Sequence, residues 1–186
     1  MHYYYDKSGA VTKELWDQKQ TGGSSDFEYH GLYSGPGSIT KDGGKASSNY
    51  DFSFQPIDWS DAIAKRHDMD YAAATATGEE YAGFLEDIRT VQADKDMVLR
   101  IGNLINNINN PFKKNNVEGV EKPYRTSASG EMIATLNGQS AAISGLATYK
   151  QWKIDNNYSN KDTYDKLRDQ FKKDNWLTSK VIDLIK

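Results

Sequence analysis

The chain has 186 residues, the length of one domain or of a small domain with an extension. Its 23 basic residues stand against 26 acidic ones, a net charge of −3, so it lacks the basic excess of a nucleic-acid-binding surface. With no cysteine it has no disulfide framework, no thiolate zinc site and no cysteine nucleophile, and 12% aromatics set it apart from disordered polyampholytes.

The first third reads as loop. Residues 1–28 are an N-terminal extension in which 3–5 and 10–16 are candidate strands of a short hairpin around Asp6-Lys7-Ser8-Gly9. The start, Met1-His2-Tyr3-Tyr4-Tyr5-Asp6, is not a basic patch followed by an apolar core, so no secretory signal is expected. No run of about 18 apolar residues follows anywhere, so no bilayer span is expected either. Gly22-Gly23-Ser24-Ser25 and residues 40–48 are loops, and Tyr33-Ser34-Gly35-Pro36-Gly37 is a tight feature between them.

From residue 58 the pattern becomes helical. Asp58-Trp59-Ser60-Asp61 offers N-cap residues, and Ile63, His67, Asp70 or Tyr71, and Ala74 recur at helical spacing, predicting a helix over 59–75. A second helix is expected over 79–88. A long one is expected over 91–109, with Val91, Met97, Val98, Ile101, Leu104, Ile105 and Ile108 on one stripe and Asn109-Asn110-Pro111 as its stop. After a polar loop at 111–130, residues 131–154 form one helix or two interrupted near Asn137-Gly138, and 162–186 is amphipathic. The expected class is mainly α, behind a loopy N-terminal region with short strands.

Three short motifs carry chemistry. In His67-Asp68-Met69-Asp70-Tyr71, His67 and Tyr71 share a helix face while Asp68 points about 100° away. One helix thus offers an imidazole to one neighbour and a carboxylate to another; taken alone, the motif reads equally as a buried histidine beside a solvated aspartate. In Tyr33-Ser34-Gly35-Pro36-Gly37 the glycines let backbone carbonyls face inward, a donor type that hard cations take, with Asp68 available to add charge; taken alone, it is an ordinary turn. Ala93-Asp94-Lys95-Asp96 opens the long helix, where acids also simply complement the helix dipole. An EF-hand counted from Asp94 fails, with Leu99 where glycine and Ile105 where glutamate are needed. A P-loop fails at Ala46 after Gly43-Gly44-Lys45, no Gly-x-Ser-x-Gly elbow occurs, and His2 and His30 are the only other imidazoles.

Together, in this order, the three motifs resemble the phospholipase A2-like superfamily over about residues 29–110. The likeness is strongest to its cysteine-free branch in parvoviral capsid proteins and bacterial phospholipase toxins. That branch has Tyr-x-Gly-Pro-Gly, then Pro-x-Asp-x-x-Asp-x-x-Ala-x-x-His-Asp-x-x-Tyr, then an Ala-Asp pair. This chain has Tyr33 to Gly37, then Pro56, Asp58, Asp61, Ala64, His67, Asp68 and Tyr71, then Ala93-Asp94. It departs from compact members in a longer stretch at 38–66.

The resemblance implies two antiparallel catalytic helices with a glycine-rich Ca²⁺ loop and a catalytic core at 29–110, with 111–186 as a helical extension packed on it. It implies Ca²⁺-dependent cleavage of the sn-2 ester of glycerophospholipids. His67 would be the general base on water, Asp94 its partner, with Asp96 and Asp87 as rivals, and Tyr71 would support Asp94. Tyr33, Gly35, Gly37 and Asp68 would hold Ca²⁺, and the Gly35 N–H would be an oxyanion donor. A phospholipid membrane surface is the implied partner, with Tyr29, Leu32, Trp59 or Trp16, or the 162–186 segment, either dipping into it or packing in the core. Residues 3–12 resemble a YD-type repeat ending of Rhs-like toxin carriers, which implies a toxin effector domain, a cognate immunity protein and export within a larger toxin or by a signal-independent machine. The alternatives are a non-catalytic interaction domain on the same scaffold and a Ca²⁺-dependent esterase for soluble esters.

Overall fold

The computed structural model of the protein describes residues 33–34, 52–76, 82–108, 110 and 114–186. The expected hairpin within 1–28 lies outside these, and among the described residues there are helices and no strand.

Helix α1 spans Trp59–Thr75, as its cap and spacing predict. The Asp58 carboxylate accepts the backbone N–H groups of Ser60 and Asp61 at 2.9 and 3.2 Å, a cap whose loss costs about 1 kcal/mol. Trp59 through Lys65 are all buried, so the first two turns of α1 pass through the interior.

The second expected helix does not form over its described part. Residues 84–86 form a turn within an otherwise irregular 82–87, followed by a 3₁₀ helix, η1, at Ile88–Thr90. Local bonds compete with the α-helical ladder here. Gly83 sits at φ 96°, outside the α-helical region, its carbonyl is shared between the N–H groups of Glu86 and Asp87, and the Asp87 side chain accepts the N–H of Arg89. Helix α2, Val91–Ile108, continues directly from η1 and buries Ala93, Asp94, Met97, Ile101 and Leu104 on one stripe.

Helix α3 runs unbroken over Gly130–Asp155, through Asn137-Gly138. The Ser129 hydroxyl caps its start at the N–H of Met132. At 1.5 Å per residue it is about 39 Å long, and that length joins two cores. As far as Leu146 it places Met132, Leu136, Ile143 and Leu146 in a cluster with Ile57, Ile63, Met97 and Ile101. Beyond Leu146 it places Tyr149 and Trp152 in an aromatic cluster with Tyr164, Leu167, Phe171 and Ile182. The segment after residue 110 therefore builds the same core as α1 and α2. The 162–186 stretch is two helices, α4 at Tyr164–Asp174 and α5 at Trp176–Ile185, broken at Asn175. Where α5 crosses α3, Gly145 supplies the clearance: a Cβ there would lie 3.1 Å from Val181 Cγ1.

Candidate functional site

The site forms where α1, η1, α2 and α3 meet. His67 and Tyr71, one turn apart on α1, both point at α2. His67 Nε2 lies 2.9 Å from Asp94 Oδ1, and the Tyr71 hydroxyl donates to the same oxygen at 2.6 Å. Neither His67, at 4% exposure, nor Asp94, at 0%, is open to water over much of its surface. An imidazole has two nitrogens, and with Nε2 turned to the carboxylate, Nδ1 remains; it makes no hydrogen bond among the described residues.

A fourth residue closes the cluster. Lys150 of α3 is fully buried, and its Nζ donates to Asp94 Oδ2 at 2.7 Å, to the Tyr71 hydroxyl at 2.6 Å and to Thr90 Oγ1 at 2.8 Å. Thr90 in turn donates its own proton to the Asp87 carbonyl at 2.7 Å. Burial works to raise the pKa of Asp94, but the hydrogen bond from His67 and the charge of Lys150 outweigh it and hold the carboxyl below the usual carboxylate range. Burial pulls the Lys150 ammonium below its usual range while Asp94 pulls the other way. Three acceptors match the three donors of an ammonium, so the arrangement is built for the ion pair.

Of the rival acids, Asp96 is half-buried and accepts from Gln92 Nε2 at 2.8 Å. Asp87 is buried and committed to Arg89, whose guanidinium lies 2.6 Å from Oδ2, and to Asn160. Burial acts to raise the Asp87 carboxyl, and the bonds from Arg89 bring it below its usual range. Neither bonds His67.

The glycine segment is described only at its start. The Tyr33 N–H donates to Asp61 Oδ1 at 2.7 Å while Asp61 Oδ2 takes the Ile57 N–H at 2.9 Å, so one buried carboxylate on α1 pins Tyr33. The Tyr33 hydroxyl donates to the Phe54 carbonyl, and Gln139 of α3 donates to the Ser34 hydroxyl. Gly35 and Gly37 lie outside the described residues. Asp68, half-buried, follows His67 on α1. Among the described residues no three His, Asp or Glu side chains gather as a metal group. The described part of the expected donor set, the Asp68 carboxylate and the Tyr33 carbonyl, is all oxygen, the donor chemistry that suits a hard cation.

Phe84, 43% exposed, brings an apolar edge to the site. Its ring centroid is 6.5 Å from that of His67 and 5.8 Å from that of Tyr71. Trp59 is buried, with Nε1 donating to the Thr126 carbonyl, which makes it a core residue and not a membrane-facing one. Tyr29, Leu32 and Trp16 lie outside the described residues. Among the described residues no helix is long and apolar enough to cross a membrane.

Lys150, Thr90 and Phe84 were not singled out by sequence, and Asp61 was read as an N-cap candidate and a position of the family motif, not as the residue that holds Tyr33. One signal for Lys150 exists: it follows Leu136 and Ile143 at steps of seven, placing a lysine in line with the buried stripe of α3. No family model, curated protein or solved structure matches the chain.

Proposed function

We propose that the protein is a Ca²⁺-dependent phospholipase A2-like hydrolase that cleaves the sn-2 ester of glycerophospholipids. The observation that carries this reading is the buried His67–Asp94 pair at 2.9 Å, with Tyr71 on the same carboxylate oxygen and Nδ1 of the imidazole making no hydrogen bond among the described residues.

In this reading Nδ1 takes a proton from a water molecule as the water oxygen attacks the ester carbonyl carbon. Asp94 accepts the Nε2–H throughout, which fixes the tautomer and stabilises the imidazolium that forms. Tyr71 limits the rotation of Asp94 by holding Oδ1. The imidazolium then returns its proton to the glycerol oxygen as the ester C–O bond breaks, giving a fatty acid and a lysophospholipid. Tyr33, Gly35 and Gly37 through their carbonyls and Asp68 through its carboxylate would hold Ca²⁺. The ion, when bound, would polarise the ester carbonyl and offset its developing charge. The Gly35 N–H would donate to the same oxygen, and Asp61, by pinning Tyr33, would set where that segment starts. A phospholipid surface is the partner, and Phe84 beside the imidazole is placed to meet an acyl chain. The YD-type stretch at residues 3–12 supports a toxin effector role with a cognate immunity protein.

The test is release of a fluorescent fatty acid from vesicles whose phospholipid carries the label at sn-1 or at sn-2. Wild type with Ca²⁺ is expected to release the sn-2 label, and EGTA or His67→Ala to abolish release. Absence of hydrolysis by folded wild type would favour an interaction domain on this scaffold. Hydrolysis of soluble esters alone would favour a soluble esterase.

A further inference from the structure

Lysine is rarely buried without a partner, because taking an ammonium out of water costs several kcal/mol. Lys150 is at 0% exposure and all three of its acceptors are held by other parts of the fold. Asp94 sits in the first turn of α2, Tyr71 on α1 and Thr90 in η1. Thr90 is oriented before the lysine arrives, since its proton is spent on the Asp87 carbonyl and a lone pair is left for Nζ. Tyr71 is oriented by the lysine itself: its oxygen receives the Nζ–H, so its own proton goes to Asp94 Oδ1. Among the described residues Asp94 Oδ2 receives one hydrogen bond, and it comes from Lys150.

We propose that Lys150 is a positioning residue of this site, one that keeps Asp94 ionised and aimed at Nε2 of His67 so that the ring carries its proton on Nε2 and its lone pair on Nδ1. This rests on the reading of the site as that of a hydrolase. The carboxylate is fully buried, and with Lys150 removed Oδ2 has no donor among the described residues. A buried carboxylate that loses its countercharge takes up a proton more readily, even with His67 and Tyr71 still bonded to Oδ1. A neutral carboxylic acid is a weak acceptor for the ring N–H and gives an imidazolium no countercharge. Loss of Lys150 therefore weakens both the choice of tautomer and the stabilisation of the intermediate, although the lysine touches neither water nor ester. Phe84 and the Tyr71 ring lie beside the same ammonium, at 5.6 and 4.8 Å from their centroids.

The experiment uses the full chain, as wild type and as Lys150→Met, a near-isosteric change that removes the charge. Wild type is expected to show the His67 ring as the Nε2–H tautomer in ¹⁵N spectra. Lys150→Met is expected to show a mixture of tautomers and a kcat lower by about 10- to 100-fold with KM unchanged, the size of effect that outer residues of a site exert. A folded Lys150→Met chain with the wild-type ring spectrum and wild-type kcat overturns the proposal. Should that variant not fold, native-chain NMR decides. Lys150 seen as an ammonium and Asp94 as a carboxylate at neutral pH supports it, and a protonated Asp94 or a neutral Lys150 overturns it. If wild type hydrolyses no lipid, the hydrolase reading fails while the ring spectra still decide what Lys150 does to Asp94 and His67.

Discussion

Lys150 Nζ and Asp94 Oδ2 lie 2.7 Å apart, and neither side chain reaches solvent. A buried pair of this kind is worth little against an apolar replacement of both partners, but removing one leaves the other charge stranded. Asp94→Asn takes the charge from one side, leaves an ammonium in the interior and sets an amide where His67, Tyr71 and Lys150 all donate. The expected outcome is a loss of about 3–5 kcal/mol of stability, read as a lower urea midpoint. Removing both charges in Asp94→Asn with Lys150→Met is expected to cost less than the sum of the two single changes. Additive losses would show that the pair does not interact.

The same pair sets the response to acid. The Asp94 carboxyl ionises below its unfolded value of about 3.9. The folded state therefore binds fewer protons than the unfolded state at low pH. The stability this gives is complete above the unfolded pKa and is lost as pH falls through the folded one. Asp87 acts in the same sense. Urea midpoints of wild type are expected to hold near neutrality and to fall once pH drops below about 4. The fall should be shallower in Asp94→Asn, which has lost that carboxyl. Equal slopes in the two chains would remove Asp94 from the account.

Helix α1 was legible because its signals are local: Asp58 stands one residue ahead of it and bonds the N–H groups two and three residues on. The stripe of α2 was legible for the same reason, since one face carries Met97, Ile101 and Leu104. Residues 82–88, the described part of the helix expected over 79–88, were misread because the outcome there is decided by the positive φ of Gly83 and the Asp87 side chain, which leave the hydrophobic spacing unchanged. The break at Asn175 and the continuity through Gly138 went unread because packing against neighbouring helices settles such points. In the site, spacing put His67 and Tyr71 on one face, Asp94 was implied by the family resemblance with Asp96 and Asp87 as rivals, and the structure brings His67, Tyr71 and Asp94 together. Lys150 did not, because its partners lie 56, 60 and 79 residues away and a lysine on a helix ordinarily reads as solvated.

Phe84 tests the substrate side of the proposal separately from the chemistry. It is 43% exposed and its ring edges toward His67. Phe84→Ser removes an apolar contact at the border of the site and leaves the bonds around Asp94 in place. A surface change of this kind alters stability by about 0.5 kcal/mol or less, so the thermal midpoint should stay close to wild type. On vesicles the KM is expected to rise several-fold while kcat changes less, as follows when a contact made equally in the ground and transition states is lost. An unchanged KM would place the acyl chain elsewhere.

Gly145 on α3 tests how closely α5 is held to the bundle. Alanine in a helix interior is favoured over glycine by about 1 kcal/mol, but a Cβ at this position would meet Val181 Cγ1 at 3.1 Å and Ile182 Cγ1 at 3.8 Å. The first distance is too short for ordinary packing, and Ile182 is fully buried, so α5 cannot move off without exposing it. Gly145→Ala alone is therefore expected to give little of the propensity gain. Adding Val181→Ala makes room, and the two changes together should be more stable than their sum predicts by about 0.5–1 kcal/mol. Gly145→Leu overfills the same crossing and should lower stability by about 1–3 kcal/mol. It should also raise hydrogen exchange selectively in α5. Gly145→Leu at wild-type stability would mean that α5 does not pack on α3 at this point.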